Sequence, residues 1–459
     1  MRVKLAIPLS LSEIARATNA LPPFYDSIIE YITTDTRECE CGDLFFALTG
    51  ESQSGEDYIN DATSKGAIAV TGKPHNRGIQ VKDTREALLA LSEYYLDKLP
   101  SLKERICITG SVGKTTTKEF LNSILKHSYK THATVGNYNN SIGLPLTVLS
   151  APINTEIIIL EMGTNHLGEI ASLSRRVHPT LAIITNIGTA HIGNLGSREL
   201  IAKEKSDIIC GMQKVRLLCE WGESLLDRIE DKLTVSCESS TADFFLSPIK
   251  EDISGTTFDF YSGGGIIEGA RLNIAGRHIL NSLAMAVAAA ITVGAPLNKI
   301  KESLSAIGEE CVRHRIIRVD DFLIFDDSYN SSLESVSADL RLLSFYKNHT
   351  RSALLGDILE LGAQTESIHR EMGAVAARSG IERLYLFGVY SHYTMLGAVD
   401  SGLARDNIFI NTDTENPRRT ALDILSTHKS GEIILFKASN KLRLSRIIDI
   451  LKKQGWYVP

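Results

Sequence analysis

An aliphatic run that breaks into a glycine loop and then a polar helix start constrains this chain most: Ile106-Cys-Ile-Thr-Gly-Ser-Val-Gly-Lys-Thr-Thr-Thr-Lys118. Glycines at 110 and 113 let the backbone turn tightly, so the amides of Gly110, Ser111, Val112 and Gly113 are expected to converge on phosphate oxygens. Lys114 supplies a point charge for the outer phosphates, the Thr115 hydroxyl a ligand for Mg²⁺, and Thr116 a further polar group on the first helical turn. A helix beginning near Lys114 adds its positive dipole end to the same site. The loop is Gly-x-x-Gly-Lys-Thr, shorter than the usual Gly-x4-Gly-Lys-Ser/Thr, with Ile108 where the first glycine would stand. A plain glycine turn between a strand and a helix is the bland reading. The order strand, loop, helix favours ATP or GTP binding on a parallel α/β sheet.

A chain of 459 residues with a net charge of −6 has room for two to four domains. No basic block points to nucleic acid or an anionic membrane surface. The seven cysteines are odd in number and mostly inside apolar runs, so reduced thiols are expected and Cys39-Glu-Cys41 lacks a second pair for zinc. Neither a secretory leader nor a membrane span is expected, since the richest window, Ser282 to Leu297, is Ala-heavy and reads as a buried helix. A cytoplasmic, monomeric enzyme without membrane insertion is the expectation.

Three regions differ in grammar: 1–83, 84–311 and 312–459. The first mixes short strands and helices, and the helical stretch Thr84 to Leu99 leads out of it. The second alternates aliphatic strands (Ile157–Leu160, Leu181–Ile184, Arg216–Cys219) with helical patterns, interrupted by a hairpin-like insertion over Thr256 to Ile274. The third begins a second alternation at Phe322–Phe325, with a helix over Glu366 to Arg378 that stops at Gly380.

Polar residues stand at the ends of several aliphatic strands, where doubly wound sheets bind ligands. Glu161 ends one, a suitable Mg²⁺ contact unless it merely faces solvent. His191 follows another, and a lone histidine is more often structural. Phe325-Asp-Asp-Ser-Tyr-Asn330 offers two carboxylates and an amide, or an Asx turn capping a helix. Gly136-Asn-Tyr-Asn-Asn140 is a loop whose amides suit a hydroxyl-rich or peptide substrate.

Together these runs resemble the Mur ligase family, ATP-dependent amide-forming enzymes of peptidoglycan precursor synthesis. The resemblance rests on Thr34-Asp-Thr-Arg37 with Gly42–Gly50, the phosphate loop, Gly136–Pro145, Glu161–Ile170, Ala190–Ser197, Lys203–Ile208, Gly276-Arg-His278, Asp326–Asn330 and Leu355–Gly362. It implies three α/β domains: an N-terminal UDP-substrate domain, a central phosphate-loop domain and a C-terminal Rossmann-like domain. It implies ATP and Mg²⁺, with UDP-N-acetylmuramoyl-peptide and D-alanyl-D-alanine as substrates joined through an acyl phosphate. Lys114, Glu161, His191 and Lys205 would be catalytic, with Thr115, Glu161, His191 and Lys205 around metal. Lys205 would be a carbamate, which forms only on a neutral amine. Asn281, Arg315, Asp327 and Asn330 would hold the adenine, ribose and phosphates. Thr36 and Arg37 would meet uridine, Asn137, Asn139, Asn140 and His166 the muramoyl-peptide, and Lys437 the incoming carboxylate.

Three positions depart from the family pattern. The usual Asn-x-x-Asn after Gly276-Arg-His is one residue shorter, ending at Asn281; Ala-Asn-Pro is Ser331-Ser332-Leu333; and Lys-Gly-Ser-Arg is Lys437-Ala-Ser-Asn440, where a neutral amide replaces a guanidinium. The alternatives are a sibling adding one amino acid, a folylpolyglutamate-type relative, and a nucleotide-binding protein that has lost ligation.

Overall fold

The computed structural model describes residues 1–454 apart from 22–24, 51–52, 253, 275, 309–310 and 313. The side chains of Arg277 and His278, part of one motif above, lie outside the described ones. Three sheets take their strands from three consecutive stretches of chain.

In the first sheet Arg2–Ser10 runs antiparallel to Ile28–Thr33, and Leu44–Phe46, Ile68–Thr71 and Gly78–Gln80 follow in parallel. Helix Leu11–Ala17 starts at Ser10 with a reciprocal capping box to Glu13. Helix Thr84–Lys98, capped by Asp83, packs against elements of both the first and second stretches.

The second sheet has nine strands, with the phosphate-loop strand Glu104–Thr109 between Ile157–Glu161 and Leu181–Ile184, all parallel. Both faces are covered, which is why these strands read as unbroken aliphatic runs. The stretch expected as a hairpin-like insertion is a hairpin, closed between Ser262 and Gly265, that continues the sheet rather than interrupting it. Phe244–Asp252 pairs in parallel with Lys232–Ser236, then Gly255–Ser262 and Gly265–Leu272 extend the sheet antiparallel to its edge. Their alternating pattern reflects one covered and one wet face.

The Ala-heavy window forms helix Arg277–Thr292. Its small side chains let it lie close on the phosphate-loop helix Lys114–Leu125, whose Phe120, Leu121 and Ile124 meet Leu280, Leu283 and Val287 in one buried cluster. Full burial of such a side chain contributes roughly 1.5–3 kcal/mol, so this interface fixes the loop's helix firmly.

The third sheet has five parallel strands in the order Phe322–Asp326, Ile433–Lys437, Arg351–Gly356, Arg383–Phe387, Ile408–Asn411. Arg315–Val319 adds an antiparallel edge that the sequence pattern did not announce. Three of its five residues are exposed, so it lacks an aliphatic run. Among the described residues no helix is long and apolar enough to cross a membrane, and no disulfide joins the seven cysteines.

Candidate active site

The phosphate loop leaves its strand at Gly110, with φ of 149°, and enters the helix through Gly113, with φ of 83°. Gly110 is fixed by space as well as conformation: a Cβ there would stand 1.8 Å from Thr185 Oγ1. Asn186 Oδ1 accepts the amides of Ser111 at 3.1 Å and Val112 at 2.9 Å. Ser111 and Val112 line the cleft as expected for phosphate-loop residues, while their amides are held by Asn186. The neighbouring strand end takes them, and the helix N-terminus around Gly113–Thr116 faces the cleft. Asn186 was missed as a functional residue; its signal was its place at the end of an aliphatic strand beside the loop. Lys114 Nζ folds back onto the carbonyl of Gly110 at 2.7 Å.

Glu161 is 1% exposed, which disposes of a solvent-facing carboxylate. Its Oε2 accepts the Thr115 hydroxyl at 2.7 Å and its Oε1 the Asn139 side-chain amide at 2.8 Å. Its backbone amide donates to Thr134 Oγ1 at 3.0 Å, and the buried Lys118 ammonium donates to the Thr134 carbonyl. Asn139 therefore orients the carboxylate directly. Asn140 also has a local role: its Oδ1 accepts the amides of Ile142 and Gly143 in the turn that leads into helix Gly143–Leu149. Asn137 and His166 are exposed on neighbouring loops.

His191 has φ of 62° and Nδ1 2.8 Å from Glu360 Oε2, a carboxylate of the third stretch. Burial holds its pKa below the ordinary imidazole value despite Glu360, and the charges of Lys114 and Lys205 act the same way. Lys205 is 1% exposed, whereas Lys203 is on the surface. Burial, with the charge of Lys114, pushes the Lys205 amine down to about 7. Its neighbour Glu204 turns the other way and accepts the amides of Gly168 and Ile170, fixing the start of helix Glu169–Val177.

Among the described residues no three His, Cys, Asp or Glu side chains converge. What suits Mg²⁺ is the pair of hard oxygens on Thr115 and Glu161 beside an anion-binding helix start, for a cation that keeps waters and shares phosphate oxygens.

The cleft in front of the loop has a volume of about 320 Å³. One wall is residues 111–116 with Asn186 and Asn281; the other is His314, Asp327, Asn330, Glu334, Asp339 and Lys437. Asn281 Nδ2 reaches Glu220 Oε1 at 3.4 Å. Arg315 is corrected: it is not part of this lining, and its exposed guanidinium pairs with Asp326 at 3.0 Å. Alternation along its edge strand turns it away, and His314 takes its place. Asp326 makes the Asx turn, accepting from the Ser328 hydroxyl, while Asp327 pairs with Lys437. Lys437, expected to meet a substrate carboxylate, is buried between Asp327 and Asp339. Ser332 caps helix Leu333–Leu343, which gives the Ser-Ser-Leu departure a local reason.

In the first sheet Thr36 is buried, its carbonyl accepting Lys65 at 2.7 Å, and Arg37 is exposed beside Asp35. Neither lines the recess of about 460 Å³ formed by Thr49, Gly50, Glu56, Gly72, Lys82 and Arg85 at the ends of the parallel strands. The sequence reading missed that recess because its walls come from three separate loops.

The Mur ligase middle domain matches residues 108–290, and the catalytic domain model of the Mur ligase family matches residues 28–95. The chain is 35% identical to the UDP-N-acetylmuramoyl-tripeptide–D-alanyl-D-alanine ligase of Bacillus subtilis, over 96% of this chain and 97% of that one. A crystal structure of MurF from Acinetobacter baumannii superposes with a TM-score of 0.88 at 27% identity, covering 98% and 100% of the two chains. MurF ligase from Thermotoga maritima in complex with ADP gives 0.80 at 25% identity, covering 93% and 97%. This chain belongs to the Mur ligase family.

Proposed function

We propose that the protein is an ATP-dependent, ADP-forming ligase that joins D-alanyl-D-alanine to UDP-N-acetylmuramoyl-tripeptide. The observation that carries this reading is the Thr115–Glu161–Asn139 chain of hydrogen bonds, centred on a buried carboxylate at the phosphate loop, in a chain so similar over its whole length to a ligase of that activity. The ADP held by the Thermotoga maritima relative supports ATP as the nucleotide.

The division of labour we propose follows the three stretches. Residues 1–83 receive the UDP group, on the strand-end face that carries Thr36 and Arg37 and the recess beside them. Residues 84–311 bind ATP, and residues 312–459 close over it and admit the dipeptide. Activation passes the γ-phosphoryl group to the tripeptide carboxylate. The dipeptide amine then attacks the acyl phosphate, giving amide and phosphate. Phosphoryl transfer is chiefly a matter of positioning and charge neutralisation. Lys114 turns from the loop carbonyls to the outer phosphates, and the helix N-terminus adds its dipole. Bound Mg²⁺ would neutralise phosphate charge, held by Thr115 and Glu161. Lys205, with an amine that burial leaves about half neutral near pH 7, fits the chemistry of a carbamate, and His191 stands on the loop facing it.

Phosphate release tests the assignment. It is expected only when ATP, the UDP-muramoyl-tripeptide and D-alanyl-D-alanine are all present. Release with a single amino acid but with no dipeptide would overturn it.

A further inference from the structure

Three ionisable side chains from three separate elements meet at the back of the nucleotide cleft. Lys437 ends strand Ile433–Lys437, Asp327 follows strand Phe322–Asp326, and Asp339 comes from the middle of helix Leu333–Leu343. Lys437 is 1% exposed, is ion-paired with Asp327 and has Nζ 2.8 Å from Asp339 Oδ2. Asp339 is 2% exposed. Leaving any of these charges buried alone would cost several kcal/mol, so the three hold one another in place. The two carboxylates outweigh burial and push Lys437 up to about 12, so it keeps its charge. Burial, reinforced by the charge of Asp327, lifts Asp339 to about 8.

All three line the cleft whose opposite wall is the phosphate loop. A lysine whose charge is matched by Asp327 and whose ammonium also reaches Asp339 presents no net positive charge to a carboxylate arriving from solvent. Its geometry instead serves Asp327. With Asp327 as its only partner, the ammonium would draw that carboxylate wholly onto itself; the Asp339 carboxyl oxygen, 2.8 Å from Nζ, balances that pull. We infer that Asp339 is a positioning residue for the nucleotide: by sharing Lys437 it holds Asp327 toward the cleft and commits Lys437 to the nucleotide side, away from the incoming dipeptide. This rests on the nucleotide reading of the cleft given above.

Steady-state kinetics of Asp339→Ala, with ATP and D-alanyl-D-alanine varied in turn, test the inference. The expected result is a rise of about tenfold in KM for ATP and in Kd for ADP. KM for the dipeptide, and the preference for it over its C-terminal amide, should stay within about twofold. Asp339→Asn keeps an acceptor for Lys437 and should return KM for ATP close to wild type. A merely structural role would lower the folded fraction and kcat while leaving both KM values alone. The inference is overturned if the folded variant binds ATP and ADP like wild type, or if the change falls on the dipeptide. Should Asp339→Ala not fold, ADP affinity of Asp339→Leu, which fills the space without binding Lys437, is read the same way. Wild-type protein with no ATP-dependent turnover would instead sink the ligase assignment, so the two failures are distinct.

Discussion

Lys205 is the side chain whose ionisation the fold displaces most usefully. Its amine titrates near 7 in the folded protein, against 10.5 for a free lysine, so between those values the unfolded chain binds one proton more. Stability therefore rises with pH across that window. Lys205→Met should flatten the rise, which urea unfolding at pH 7 and pH 9.5 in bicarbonate-free buffer checks. Activity carries the same signature. A carbamate needs the neutral amine, so turnover should fall as pH drops through about 7, and Lys205→Ala should lose activity and regain part of it with added acetate. Full activity of a bare amine at high bicarbonate would reject the carbamate. At Lys114 the expectation is plainer. Lys114→Ala removes the charge that meets the outer phosphates and should lower kcat on the order of 10²-fold or more in the phosphate-release assay.

Elements, rather than single residues, decide how the two walls of the cleft come together. The loop 188–193 of the central sheet is gripped twice by the C-terminal region. Glu334 Oε1 accepts the Thr189 amide at 3.0 Å and its hydroxyl at 2.9 Å, and Glu360 binds His191 through its side chain and the Gly193 amide through its carbonyl at 2.8 Å. Glu334→Ala and Thr189→Val should each raise KM for ATP. The double variant should be little worse than either, with a coupling energy of about 1 kcal/mol. These contacts show where the sequence was readable. Strands buried on both faces announce themselves as aliphatic runs, and the glycine loop is a local pattern, so the central sheet and Gly110–Thr116 were legible. So was Glu161, because it ends a strand next to the loop. Glu334 and Asp339 on one helix, and Glu360 on a loop, were not assigned roles in advance, since a carboxylate reads as a solvated group until tertiary packing brings a partner to it. Arg315 is the opposite case: it was carried over from the family resemblance, yet it lies exposed on an edge strand, pairs with Asp326 and is not part of the cleft lining. Asn140 shows a third kind of limit, an amide in a functional run that is taken up by the turn leading into a helix.

At the scale of the whole molecule, the cleft exists only because residues from the second and third stretches face each other across it. Neither wall alone surrounds a nucleotide, so catalysis depends on their approach, and ligands that bind both walls will favour the joined arrangement. The recess at the strand ends of the first sheet is completed by Thr84 and Arg85 of the second stretch. The central claim is that this molecule activates a peptide carboxylate with ATP and passes it to a dipeptide amine. Its most direct test is a reaction of UDP-N-acetylmuramoyl-tripeptide carrying ¹⁸O in the terminal carboxylate with ATP and D-alanyl-D-alanine, read by mass spectrometry of both products. The account predicts a UDP-muramoyl-pentapeptide and inorganic phosphate that has gained one ¹⁸O from the carboxylate. Phosphate free of ¹⁸O, or hydrolysis of ATP without a pentapeptide product, would contradict it.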